Sequence, residues 1–381
     1  MPSTYAHYIF GQQIRGRLSG YERKVIDKYP ELFNIGLHGP DILFYYRPLC
    51  KNKVNQLGSR MHSESGAKFF VHAAKVLHTH DQYEKHLAYV YGVLCHFALD
   101  VTCHGYMEQT VKETGLAHIA VEGELDRKLM IMNGENPVSR RLTGHIVPSM
   151  KNAVIIKDFY RGITAKEVKK ALNGMVFYDR ILVCPSKIKR MALYAALKVA
   201  GLYYDFHGFI IKYHENGSCR EQIRRLFHLY EKAVPLADKL ICEYKPFLEG
   251  SATLDSVYAY TFGSQLPGKE DTLNENKTDK TGKTGYFMMS EILHLHFWQQ
   301  PFYRFISTIS QESRDFRMYS IWHTGDMQYP LQPCLRHLQD QYLEPLQIQK
   351  AIKNQFLQLH LESGQLLQLL WDLRSTGWPF W

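Results

Sequence analysis

At 381 residues the chain is long enough to bury a sizeable core in one large domain or two ordinary ones. Its 45% hydrophobic and 22% charged residues exclude a disordered chain. The formal net charge of +9 fits an anionic partner, whether a phospholipid surface or another phosphodiester, although basic side chains spread over a solvated surface give the same figure. No stretch approaches 18 uninterrupted apolar residues, so the sequence predicts no transmembrane span. The opening MPSTYAHYIFGQQIRGRL lacks a basic start followed by a long apolar run. With no signal peptide in that pattern, the expectation is a cytoplasmic protein with peripheral membrane contact. The seven cysteines are scattered, odd in number and free of CxxC pairs, which reads as reduced thiols rather than a disulfide framework.

Residues 4–19 read as a short helix with Ser3 or Thr4 as cap and His7 near its start. In IGLHGPDILFYY, Gly36, Gly39 and Pro40 break any long helix and set His38 and Asp41 on an irregular segment. Asp41 there is either a metal ligand and base toward bound water or the N-cap of a helix ILFYY. From Gly58 the pattern GSRMHSESGAKFFVHAAKVL predicts a helix with His62 in its first turn and Ser59 or Ser63 as cap. Downstream, His72, His78 and His80 sit among polar neighbours and read as surface residues.

The run HLAYVYGVLCHFALDVTCHGY is apolar in every direction, so the predicted helix over 85–111 is a buried one. Its few polar side chains include His96, Asp100 and His104. Residues four apart lie within about 40° of each other around a helix, so these three share one stripe. A carboxylate and two imidazoles cannot be buried without partners. A second predicted helix, 115–132, carries His118 and Glu122, again four apart, and these donors on facing helices make a di- or tri-metal site. The alternative is a hydrogen-bonded polar network in the core. One turn beyond Glu122, Asp126 and Arg127 read either as a pair that orients a ligand imidazole from behind or as a solvated ion-pair network.

Helical periodicity continues over 150–250, and no segment suggests a sheet. The expected fold is therefore all-α, a multi-helix bundle reaching about residue 262. The segment 263–290 begins with GSQLPGKEDTLNENKTDKTGKTG and reads as a polar linker. All five tryptophans and 13 of the 20 glutamines follow it, so residues 291–381 read as a separate C-terminal extension, helical or poorly ordered.

The segments MPSTYAHYIFG, IGLHGPDILFYY, MHSESGAKFF, YGVLCHFALDVTCHGY and HIAVEGELDR resemble the zinc-dependent phospholipase C family of Gram-positive bacteria. The resemblance covers roughly residues 1–262 and implies an all-α bundle binding two to three zinc ions, related to the single-strand-specific nucleases. Carried over by motif, His62, His96 and Asp100 hold one zinc with Asp41 beside it, and His104, His118 and Glu122 hold a second. Asp100 then bridges to a third that also takes His7. Imidazole and carboxylate donors suit zinc. The spacing HxxxDxxxH is tighter here than in the secreted enzymes of that family.

Three functions fit these readings. The first is phospholipase C-type hydrolysis of a phospholipid to diacylglycerol and a phosphorylated head group, with water activated at the metals and Asp41 as base. The second is a nuclease or small phosphodiesterase on the same metals, and only this reading involves nucleic acid. The third is a helical binding protein in which zinc is a staple.

Overall fold

A computed structural model describes residues 4–263, except the side chains of residues 204 and 205. The expected linker and C-terminal extension lie outside the described residues from position 264 onward. Among the described residues every regular element is helical, apart from one antiparallel bridge between Ser65 and Thr261.

The chain opens with α1 (Thr4–Arg17), α2 (Gly20–Lys28) and α3 (Pro30–Gly36). Pro30 at the first position of α3 forgoes an N–H that has no intrahelical partner in any case. A 3-10 segment, Gly39–Tyr45, follows with Asp41 inside it. Residue 41 is therefore not the cap of a helix. Its own N–H donates to the His38 carbonyl, and His38 stands at the N-cap position.

Next come α4 (Lys53–Ser63) and α5 (Gly66–Thr79). They correct the expected single helix from Gly58. The cap of α4 is Asn52, whose side chain accepts from Val54 and Asn55 N–H groups while the Asn55 side chain accepts from Asn52 N–H. That box starts the helix earlier than the serines suggested, so His62 falls in its last turn, not its first. Ser59 and Ser63 instead donate to carbonyls one turn back, at Asn55 and Ser59. At the break between the two helices, Gly66 N–H donates to Tyr260 O, which brings Thr261 and Phe262 into the core.

The central helix is α6 (Tyr83–Thr114), 32 residues and hence about 48 Å long. By length and apolarity it would pass for a membrane span, but α1, α2, α3, α5 and a later helix pack around it. It ends at Gly115, whose φ of 67° is the left-handed conformation that a helix terminus of this type needs. The remaining helices are α7 (His118–Met132), α8 (Met150–Lys157), α9 (Ala165–Leu182), α10 (Lys187–Val199), α11 (Tyr203–Phe206) and α12 (Arg220–Leu248). Along α12, Ile223, Leu226, Tyr230, Ala233, Ala237 and Tyr244 recur at helical spacing and are buried, the stripe that covers α6.

Two contacts bring the irregular segment to α6. Gly36 and Gly92 let α3 and α6 approach backbone to backbone, since a Cβ on either would collide with the other helix. Tyr160, after α8, donates its hydroxyl proton to Gly39 O at 3.0 Å. With that proton committed, the 2.6 Å contact between Tyr89 and Tyr160 hydroxyls has Tyr89 of α6 as donor.

Candidate metal centre

Asp100 is the middle of the helical stripe and is fully buried. Three imidazoles surround it: His96 Nε2 at 3.2 Å, His7 Nε2 at 3.1 Å and His104 Nε2 at 3.5 Å. The first and last come from α6 itself, one turn to either side. His7 arrives from α1, whose start is anchored by Asp126: the Tyr5 and Ala6 N–H groups donate to its two carboxylate oxygens. Opposite lies a second contact, His62 Nε2 to Asp41 Oδ1 at 2.9 Å, between the last turn of α4 and the 3-10 segment. His96 joins the two, because donor atoms of His7, His96 and Asp100, and likewise of Asp41, His62 and His96, lie within 4.8 Å of one another.

The proton inventory of these rings tests whether a cation fits. His62 Nδ1 lies 2.8 Å from Gly58 O, and His96 Nδ1 lies 3.2 Å from Leu37 O. A carbonyl only accepts, so in both rings Nδ1 carries the proton. A neutral ring then presents a lone pair at Nε2, and each Nε2 faces a carboxylate oxygen. Lone pairs that face each other in the interior repel, and either a second proton on the ring or a cation shared by both groups relieves this. Charging every ring is ruled out by their closeness: His7 and His96 stack with centroids 4.4 Å apart. A divalent cation in either group satisfies the donors of that group at once, and both groups are the imidazole and carboxylate chemistry that suits zinc.

Charge follows the same geometry. Burial would push the Asp100 carboxyl up, but His96 and His104 hold it well below the usual range. Burial would lower His96, yet Asp100 and Asp41 raise it. His7 is lowered, first by burial and then by His96, so it stays a neutral donor. Asp41 is lowered against its burial by His62 and His96.

The third pair of expected ligands lies at the start of α7. His118 Nε2 is 2.7 Å from Glu122 Oε1, and the His118 ring is 5.6 Å from that of His104. Among the described residues these three donors do not close into a group as tight as the other two sets. Asp126 and Arg127, expected behind a ligand imidazole, are both buried. Asp126 grips the first turn of α1 and so positions His7 through the backbone, whereas Arg127 makes a bidentate contact with buried Glu124, down to 2.6 Å.

One partner in this region had no sequence signal. His38 Nε2 lies 2.7 Å from His145 Nε2, and Tyr8 stacks on His145 with centroids 4.0 Å apart. Burial holds both imidazoles down, His145 to about 3, so one ring donates to the other and neither is charged. The pair props the turn that carries Asp41, from a residue 107 positions away.

Residues 6–173 match the family model described as zinc dependent phospholipase C, and every candidate ligand lies inside the match. No curated protein and no solved structure matches the chain.

Proposed function

We propose, since residues 6–173 match the zinc-dependent phospholipase C family model, that the protein is a member of that family and hydrolyses a phospholipid to diacylglycerol and a phosphorylated head group. The observation that carries the phosphodiester part is the convergence of His7, Asp41, His62, His96 and Asp100 in the interior, acceptor atom facing acceptor atom. These residues, with His104, His118 and Glu122, would hold two to three zinc ions. Zinc held there supplies Lewis acidity toward phosphoryl oxygens and a water of lowered pKa. Asp41 is the base of this reading, because it sits on the 3-10 segment rather than within a long helix and its carboxylate is kept ionised by His62 and His96. Asp100, held well below the carboxylate range, keeps its negative charge where the cations gather.

Support for a lipid substrate comes from the wall behind His62 and His96. Phe262 stacks obliquely near both rings, at 5.9 and 5.8 Å. It also lines a cavity of about 550 Å³ with an apolar floor that includes Met61 and Phe69. Arg60, Lys68, Lys75 and Arg161 line the same cavity, with Glu64 near Arg60 and Lys68. An apolar floor beside a cationic rim suits an amphiphilic anion, and such a rim fits peripheral contact with an anionic bilayer.

The test is zinc analysis of the purified chain together with a hydrolysis screen over phospholipid vesicles and oligonucleotides. Zinc-dependent release of diacylglycerol is the expected result. Cleavage of oligonucleotides alone would replace the lipid reading by a nuclease, and tightly bound zinc without hydrolysis of either would make the metal a staple.

A further inference from the structure

The feature that marks His62 and His96 recurs at His86, in the first turn of α6. His86 Nδ1 lies 2.9 Å from Gln82 O, so it carries the proton, and His86 Nε2 faces Asp158 Oδ2 at 3.0 Å. His86 is 2% exposed, so water does not separate the two atoms. A third donor completes the cluster. His80 Nδ1 lies 3.9 Å from the same carboxylate oxygen, and its ring stacks on His86 with centroids 5.0 Å apart. The three donor atoms lie within 4.8 Å of one another. His86 precedes His96 by ten residues on one helix, about 15 Å along its axis, so this cluster is separate from the centre described above.

We propose that His80, His86 and Asp158 form a further metal site that takes one zinc ion. Two imidazoles and one carboxylate are a zinc donor set, and half-exposed His80 leaves a position on the solvent side for water. The cluster draws on three helix ends. His80 is the C-terminal cap of α5, His86 lies in the first turn of α6, and Asp158 is the C-terminal cap of α8. An ion there staples the α5–α6 connection to the end of α8. Lys157 Nζ, 2.6 Å from Asp158 Oδ1, already offsets the single negative charge. Binding is therefore weaker than at the carboxylate-rich centre, and this ion leaves first when a chelator is added.

The alternative is an imidazolium on His86 paired to Asp158, with no metal. Equilibrium dialysis of the full chain against zinc separates the two. His80→Ala removes an exposed side chain, and it should bind one equivalent of zinc fewer than the unaltered protein while hydrolysis changes less than twofold. Hydrogen exchange adds a second readout: zinc should slow exchange of the amides over 80–86 in the unaltered protein and not in His80→Ala. Asp158→Asn, checked for a native circular dichroism spectrum, should match His80→Ala in both measurements; if it fails to fold, His80→Ala alone decides. Equal zinc content and equal exchange in His80→Ala and the unaltered chain would overturn the site and leave the ion pair. The comparison is a difference between two chains, so it holds whether or not the main centre proves to be catalytic.

Discussion

Gly36 of α3 and Gly92 of α6 touch backbone to backbone, and this contact sets the distance between the turn bearing Asp41 and the helix bearing His96. A Cβ on Gly92 would stand 2.8 Å from the Gly36 Cα. In an open helix, Gly→Ala stabilises by about 1 kcal/mol. Here Gly92→Ala should destabilise by about 1–3 kcal/mol, the usual range for overpacking. Urea unfolding measures the sign, and a stabilised variant would show that the two helices part easily.

Asp100→Asn should empty the centre more than Glu122→Gln. Asp100 faces His7, His96 and His104, while Glu122 meets His118 across one turn of α7. Taking negative charge from the point where cations gather costs more than taking it from the edge. Zinc content and hydrolysis of the two variants provide the comparison. Equal values in both would remove Asp100 from its bridging position.

Asp41→Asn should slow hydrolysis by about 10²–10⁴-fold, the range for loss of a general base. The amide occupies the same volume, so the fold should persist, as should any zinc that the proposed ligands His104, His118 and Glu122 hold. A variant with normal turnover would reduce Asp41 to a partner of His62.

Removing zinc should cost stability as well as activity, because the proposed ligands come from α1, α4, α6, α7 and the 3-10 segment. At a thousandfold excess over Kd, one ion stabilises the fold by about 4 kcal/mol. For a domain of this size that corresponds to a fall in Tm on the order of 10 °C. Thermal unfolding with and without a chelator, then with zinc restored, reads this directly. An unchanged Tm would mean that the helices hold the donors in place without metal.

A chain ending after Gly263 should keep both its zinc and its hydrolysis. Every candidate ligand of the main centre precedes residue 123, Asp158 of the further site is also retained, and the last described residues close on α5 through Gly66 N–H to Tyr260 O. The cut must spare Phe262, which is buried against Phe69 and Phe97. Loss of zinc on truncation would assign part of the centre's support to residues beyond 263.

What the sequence determined by itself is what lies within one or two helical turns. The stripe of His96, Asp100 and His104 and the pair His118 and Glu122 follow from the helical period alone, and so does the burial of α6. The start of α4 is not legible in the sequence because its cap is an Asn–Asn box, where a Ser or Thr with a Glu is the usual signal. Everything that depends on residues far apart in the chain needed the tertiary structure. Asp126 reaches the start of α1 across 120 residues, His145 reaches His38 across 107, and Asp158 reaches His86 across 72. No local pattern encodes such pairs, because the segments that carry them are far apart in sequence and meet only in the folded chain. His80 shows the difference most sharply: polar neighbours in sequence made it a surface residue, which it is, while the end of α8 set a carboxylate beside it.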